Sequence, residues 1–238
     1  DRVMDGGVTD GVRIDRSPAR AGGVLSLVLG AIAVGAVADA DGQLVALAVE
    51  LLSLLAASYG VWRLRDGDRL LGIPLVVAGG FGVPAAMAYG LVSAARSTQV
   101  VELAPGMAGL GLLALGVLPV RRRWSRRLVG AGAIAVGAGV VASGVVHGAG
   151  QLRLLAGLAL TVVAWDAAEQ AINLGEQVGR RAGSAAVVGT HVAWSLGVGA
   201  VGVAAASGIY AVDVTGLPLV GVGLLLAATV TISTAAFT

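Results

Sequence analysis

Charge-free apolar runs about one membrane thickness long recur along this chain, separated by short polar clusters. A helix crossing the hydrocarbon core needs about 20 mostly apolar residues. Eight stretches qualify: 21–38, 43–62, 70–95, 101–120, 128–149, 152–172, 184–210 and 217–236. They absorb nearly all of the chain beyond residue 20, and no connection is long enough for a soluble domain. Residues 1–20 form a polar tail with four Asp and four Arg, composition that favours disorder or a surface strap. The first run sits behind that tail, and no processing site separates it from the second, so it reads as a retained span. The third run contains Pro74 and Pro84, which predicts a kinked helix. The expected fold is all-α: a polytopic membrane protein of eight transmembrane helices, with residues 21–238 forming one helical domain.

Composition strengthens this reading. Hydrophobic residues make up 57% of the 238 and charged residues only 13%, with 38 glycines besides. A soluble domain carries about 25% charged residues. A mean hydropathy of +0.89 cannot be hidden in a soluble core, because even a large domain leaves much of its surface in water. An ordinary soluble enzyme, a disordered chain and a nucleic-acid binder are thereby excluded. The absence of cysteine removes disulfides, thiolate metal sites and cysteine nucleophiles.

All 16 basic residues are arginine. Cytoplasmic loops carry the excess of Lys and Arg beside helix ends. Alternating the eight spans places fourteen arginines on the side of the N-terminus and two, Arg96 and Arg153, on the other. Both termini are therefore expected in the cytoplasm. The pI near 9.7 then reports topology, since the net charge is only +2. The run Arg121, Arg122, Arg123, Arg126 and Arg127 is expected to bind anionic lipid or to dock a protein.

The spans are built of Ala, Gly, Val and Leu, so helices must associate through close backbone approach. The fifth span shows this best: Gly130, Gly137 and Gly144 recur every seven residues, as do Gly132 and Gly139, and Gly144 with Gly148 makes a GxxxG pair. It is expected to be a central packing helix. The segment Gly30–Ala36 recurs identically as Gly132–Ala138. A parallel 4+4 duplication would produce that match, and so would low-complexity composition.

Ionisable groups inside spans are costly and are functional candidates by default. Glu50 is expected in the outer half of the second span, snorkelling or pairing locally, at a depth where it could meet His147 near the end of the fifth. The informative stretch is 164–180, where Asp166, Glu169, Asn173, Glu176 and Arg180 recur at spacings of 3, 4, 3 and 4. That spacing lays one polar face along a helix leaving the membrane. Glu176 and Arg180 form an i,i+4 pair. His191, early in the seventh span, falls at a similar depth to Asp166 and could hydrogen-bond Asp166 or Glu169, with Trp194 and Ser195 extending its face. Three roles fit: a lock between two helices that doubles as a docking surface, a proton relay, or a metal site on Asp166, Glu169 and His191. No HExxH, Gly-x-Ser-x-Gly or paired-aspartate pattern accompanies them, and no catalytic residue, metal or cofactor is assigned.

The run Ala164-Trp-Asp-Ala-Ala-Glu-Gln-Ala-Ile-Asn-Leu-Gly-Glu-Gln-Val-Gly-Arg180, with a histidine early in the next span, resembles an uncharacterised family of haloarchaeal multi-pass membrane proteins. That family typically shows Ala-Trp-Asp-x-x-Glu followed by Leu-Gly-Glu-Gln-Leu-Gly-Arg; Val178 stands here where leucine is usual. Its genes commonly neighbour those of MoxR-type AAA+ ATPases. The resemblance implies an archaeal cell membrane and a role beside an AAA+ ATPase system, and brings no catalytic residues. Lysine-free composition fits a GC-rich halophile.

The function expected from these readings is a non-enzymatic membrane scaffold or accessory subunit of a larger complex, with the lipid bilayer and other protein subunits as partners. Its docking surface would comprise 121–127 with Glu176 and Arg180. The alternative is a small-solute, ion or proton transporter using Glu50, Asp166, Glu169 and His191. A membrane metalloenzyme comes third.

Overall fold

The computed structural model describes residues 17–94, 97–118, 123–177 and 185–211, excluding the side chains of 97, 98, 147 and 211. The expected eighth span, 217–236, lies outside them. The described residues form seven helices: α1 (Arg20–Ala36), α2 (Asp41–Arg65), α3 (Arg69–Ser93), α4 (Ser97–Val117), α5 (Ser125–His147), α6 (Gln151–Gln177) and α7 (Ala185–Ala211). Six of them, α2 to α7, are long and apolar enough to cross a membrane. The chain divides after Val203 into two compact units. The second is described only over 204–211, the last two turns of α7.

The first helix is the shortest of the seven. α1 has 17 residues, a rise of about 26 Å, short of the roughly 30 Å hydrocarbon core. It is an interior helix, packed against α2, α4, α5 and α6. Nine of its residues are buried, among them Leu27, Ala31 and Val34. These join Leu47, Leu54, Leu103, Met107, Leu110, Leu113 and Val136 in the main core. The centre of the bundle is therefore α1, while α5 touches α4, α6 and α1.

Glycine sets how closely the long helices approach. A Cβ on Gly132 would lie 2.8 Å from both the Gly109 carbonyl oxygen and the Leu113 nitrogen, and one on Gly139 would lie 2.9 Å from the Glu102 oxygen. The Gly132/Gly139 stripe is thus the seam with α4. Gly130, on the other seven-residue stripe, faces open space. The α2–α3 pair uses the same device: a Cβ on Gly60 would lie 2.8 Å from the Val76 nitrogen. Pro74 and Pro84 both lie inside α3, which continues through them as one helix. Asp68 caps α3 by accepting from the Leu71 N–H at 3.2 Å. Gly148 ends α5 in the left-handed region at φ 63°, where a side chain would be strained.

Candidate functional site

Alternation of the helices gathers one polar rim at the ends where α1, α3 and α5 begin and α2 and α6 finish. Arg20 pairs with Asp66 at 2.5 Å, and its guanidinium lies 5.5 Å from the Trp62 ring centre. Arg63 binds Asp68, and Arg65 donates to Ser17 Oγ at 3.2 Å. The Ala19 N–H donates to the Ala171 carbonyl at 2.8 Å, tying the entry of α1 to α6. The Asp68 carboxylate, accepting from Leu71 N–H and then from Arg63, is held below the usual aspartate range.

The conspicuous member of this rim is Arg126, in the first turn of α5. Its Nη1 donates to Glu169 Oε2 at 2.7 Å, and its Nη2 donates to Asn173 Oδ1 at 2.8 Å and to Glu176 Oε2 at 3.1 Å. One planar guanidinium thereby holds three turns of α6, a geometry that its fixed fork of donors permits. Arg126 had been expected to face lipid or a docking partner; its donors are instead spent within the protein, although half the side chain stays exposed. Arg123 and Arg127 are exposed. Arg121, Arg122 and Arg180 lie outside the described residues.

Asp166 begins the same polar face of α6 but meets a different neighbour. His191 Nε2 lies 2.8 Å from Asp166 Oδ2, and Ser195 Oγ donates to that same oxygen at 2.6 Å. His191 and Ser195 stand one helical turn apart on α7, so both reach a single carboxylate. Here the aspartate is the hub, whereas in a nucleophilic triad the histidine lies between serine and acid. Beneath the three, Val163, Ala164 and Ala167 of α6 pack with Val188 and Val192 of α7.

The face expected to act as one cluster is therefore two. Asp166 belongs to α7, and Glu169, Asn173 and Glu176 belong to Arg126. The metal set Asp166, Glu169 and His191 does not converge, and no group of three or more His, Cys, Asp or Glu among the described residues is placed to hold a metal ion. Asp166, His191 and Ser195 themselves line a largely apolar cavity of about 540 Å³ between α6 and α7, walled besides by Val162, Trp165, Trp194 and Val198. Both indoles are exposed.

Glu50 corrects the expectation most sharply. It is the tenth residue of α2, about 15 Å from the helix start and so near the middle of the bundle. It is fully buried, and neither carboxyl oxygen has a hydrogen-bond partner. It therefore does not snorkel, and no local ion pair holds it. The His147 side chain lies outside the described residues.

Six long apolar helices, close-packed through glycine and tied at one end by arginine, define a multi-pass helical membrane protein. Within that class, the model of a family described as "Family of unknown function (DUF7519)" matches residues 76–233, about two thirds of the chain, and the protein belongs to that family. No curated protein and no solved structure matches it.

Proposed function

We propose that this chain is a non-enzymatic scaffold or accessory subunit of a larger membrane complex, residing in an archaeal cell membrane. In this reading it has eight spans, both termini face the cytoplasm, and its partners include an AAA+ ATPase system. The observation that carries it is how the polar side chains of α6 are used. Asp166 is taken by His191 and Ser195, and Glu169, Asn173 and Glu176 are taken by Arg126. Both sets tie α6 to a neighbouring helix, Asp166 to α7 and the other three to α5. A rigid bundle with an arginine-rich rim, on which Arg123 and Arg127 remain exposed, suits a docking platform whose counterpart carries acidic groups. The haloarchaeal character rests on the 164–180 motif and the lysine-free composition.

The test is purification from native membranes in a mild detergent, followed by identification of co-purifying chains. A partner at fixed stoichiometry is expected, and its loss on Arg123→Glu/Arg127→Glu would place the contact on the rim. Recovery of the chain as a lone monomer overturns the subunit reading.

A further inference from the structure

The interior of the α1–α2–α4 bundle holds polar atoms that the helix ties leave unused. Glu50 Oε1 and Oε2, Ser26 Oγ and Ser58 Oγ have no hydrogen-bond partner. Glu50 and Ser26 are 0% exposed, and Ser58 is 2% exposed. Each such orphan in a native core calls for a physical explanation. A bare carboxylate in so apolar a place would cost many kcal/mol, and the group escapes that cost by taking a proton.

Among the described residues the surroundings offer no counter-ion that would hold the charge. From α2 itself, Ala46, Leu47 and Leu54 share the buried face of Glu50. Its Asp41, Arg63 and Arg65 stand at the helix ends, and Tyr59 is exposed. From α1 the charged residue is Arg20, engaged by Asp66 at the far rim. From α3 come Arg69, its first residue, and the exposed Tyr89. From α4 comes another acid, Glu102, 5% exposed.

Toward the end opposite the arginine rim two further buried polar side chains are Gln43, whose Oε1 accepts from the Asp39 N–H at 2.9 Å, and Glu102. Gln43 lies seven residues before Glu50, on the same face of α2, and is 3% exposed. With Glu102, Val34 and Leu103 it lines a gap of about 10 Å³, room for roughly one water molecule. The gap lies at the end of the bundle opposite the arginine rim. Helical side chains lean toward their own N-terminus, which directs the Glu50 carboxyl toward Gln43.

We propose that Glu50 is a proton-binding site inside the bundle, loaded and emptied through Gln43 and Glu102 from the arginine-poor face of the membrane. It goes beyond the scaffold reading and does not depend on it. The chemistry is O–H bond formation and cleavage at one carboxyl oxygen, with water as proton donor and acceptor.

The test uses the full chain in lipid vesicles and infrared spectroscopy of the protonated carboxyl C=O stretch. One such band is expected in the wild type, lost in Glu50→Gln and shifted but present in Glu50→Asp. Retention of an unchanged band in Glu50→Gln overturns the site. On transfer to D₂O the band should shift as the O–H exchanges, and Gln43→Leu should slow that exchange at least tenfold without removing the band. An unchanged exchange rate overturns the route. The aspartate variant keeps the test decisive if Gln at position 50 folds poorly.

Discussion

His191 Nε2 and Asp166 Oδ2 stand 2.8 Å apart, joining residues 25 positions apart in the chain across the gap between α6 and α7. Hydrogen bonds between membrane helices contribute about 0.6 kcal/mol on average and up to about 1.7 kcal/mol. Because one Asp166 oxygen serves both His191 and Ser195, Asp166→Ala should cost more than either partner's loss. A double-mutant cycle of Asp166→Ala with His191→Ala, read by reversible unfolding in detergent, should show coupling of about 1 kcal/mol. Zero coupling would mean the contact holds nothing.

Arg126 makes the second tie, and its shape matters as much as its charge. Lysine keeps the charge but presents a single point of donation where the guanidinium spans three acceptors. Arg126→Lys is expected to cost about 1 kcal/mol, the scale of a half-exposed network, and to weaken as salt is raised. Arg126→Ala should cost more, since it removes all three bonds from α5 to α6. Equal stability of the lysine variant and the wild type would show that charge alone suffices.

These two ties also show what the sequence carried and what it withheld. Hydropathy and arginine alternation located α2 to α7, because membrane length and loop charge are written locally. The 3,4,3,4 spacing correctly put Asp166, Glu169, Asn173 and Glu176 on one face of α6. Spacing could not say that this face borders two neighbours: Asp166 and Glu169 differ by about 60° around the helix, enough to divide them between α7 and α5. Arg126 read as a loop arginine, because nothing nearby in sequence marks a residue more than 40 positions away as its partner. Glu50 was found, but its burial was not legible, since α2 is apolar on every side and no periodicity marks its inner face. The interior position of α1 was likewise not legible, because composition does not distinguish lipid from protein as the surroundings.

The glycine seam gives a contrast within one helix. A Cβ on Gly132 would press on the Gly109 carbonyl and the Leu113 backbone at 2.8 Å, and neither backbone group can rotate away. Gly132→Ala should cost about 1–3 kcal/mol, the usual range for overpacking. Gly130→Ala, two residues earlier in open space, should be neutral or stabilise by about 0.5–1 kcal/mol through helix propensity. Thermal unfolding of the two variants in one detergent makes the comparison, and a reversed order would place the α4–α5 contact on the wrong stripe.

Acid should loosen the α2–α3 turn. The Asp68 carboxyl is held below its ordinary range by the Leu71 N–H and by Arg63, so its folded-state value lies below its unfolded one. The stabilisation is then fully present above the ordinary aspartate value, about 4, and is lost as pH falls through the lower folded value. Asp68→Asn should be less stable than wild type at neutral pH, with the difference shrinking as the buffer is acidified below about pH 4. A difference that grows with acidity would reverse the sign of this argument.

The orientation of the bundle can be tested without removing any native thiol, because the chain contains no cysteine. Arg123 is exposed beside the arginine rim, and Gly150 is exposed at the opposite ends of the helices, in the turn between α5 and α6. A Cβ at Gly150 meets open space, so Gly150→Cys carries little structural cost. If the arginine side is cytoplasmic, a membrane-impermeant maleimide added to intact cells should label Gly150→Cys and spare Arg123→Cys. Permeabilised cells should label both. The opposite pattern would invert the protein, and labelling of both in intact cells would mean that the two positions do not lie across a membrane from one another.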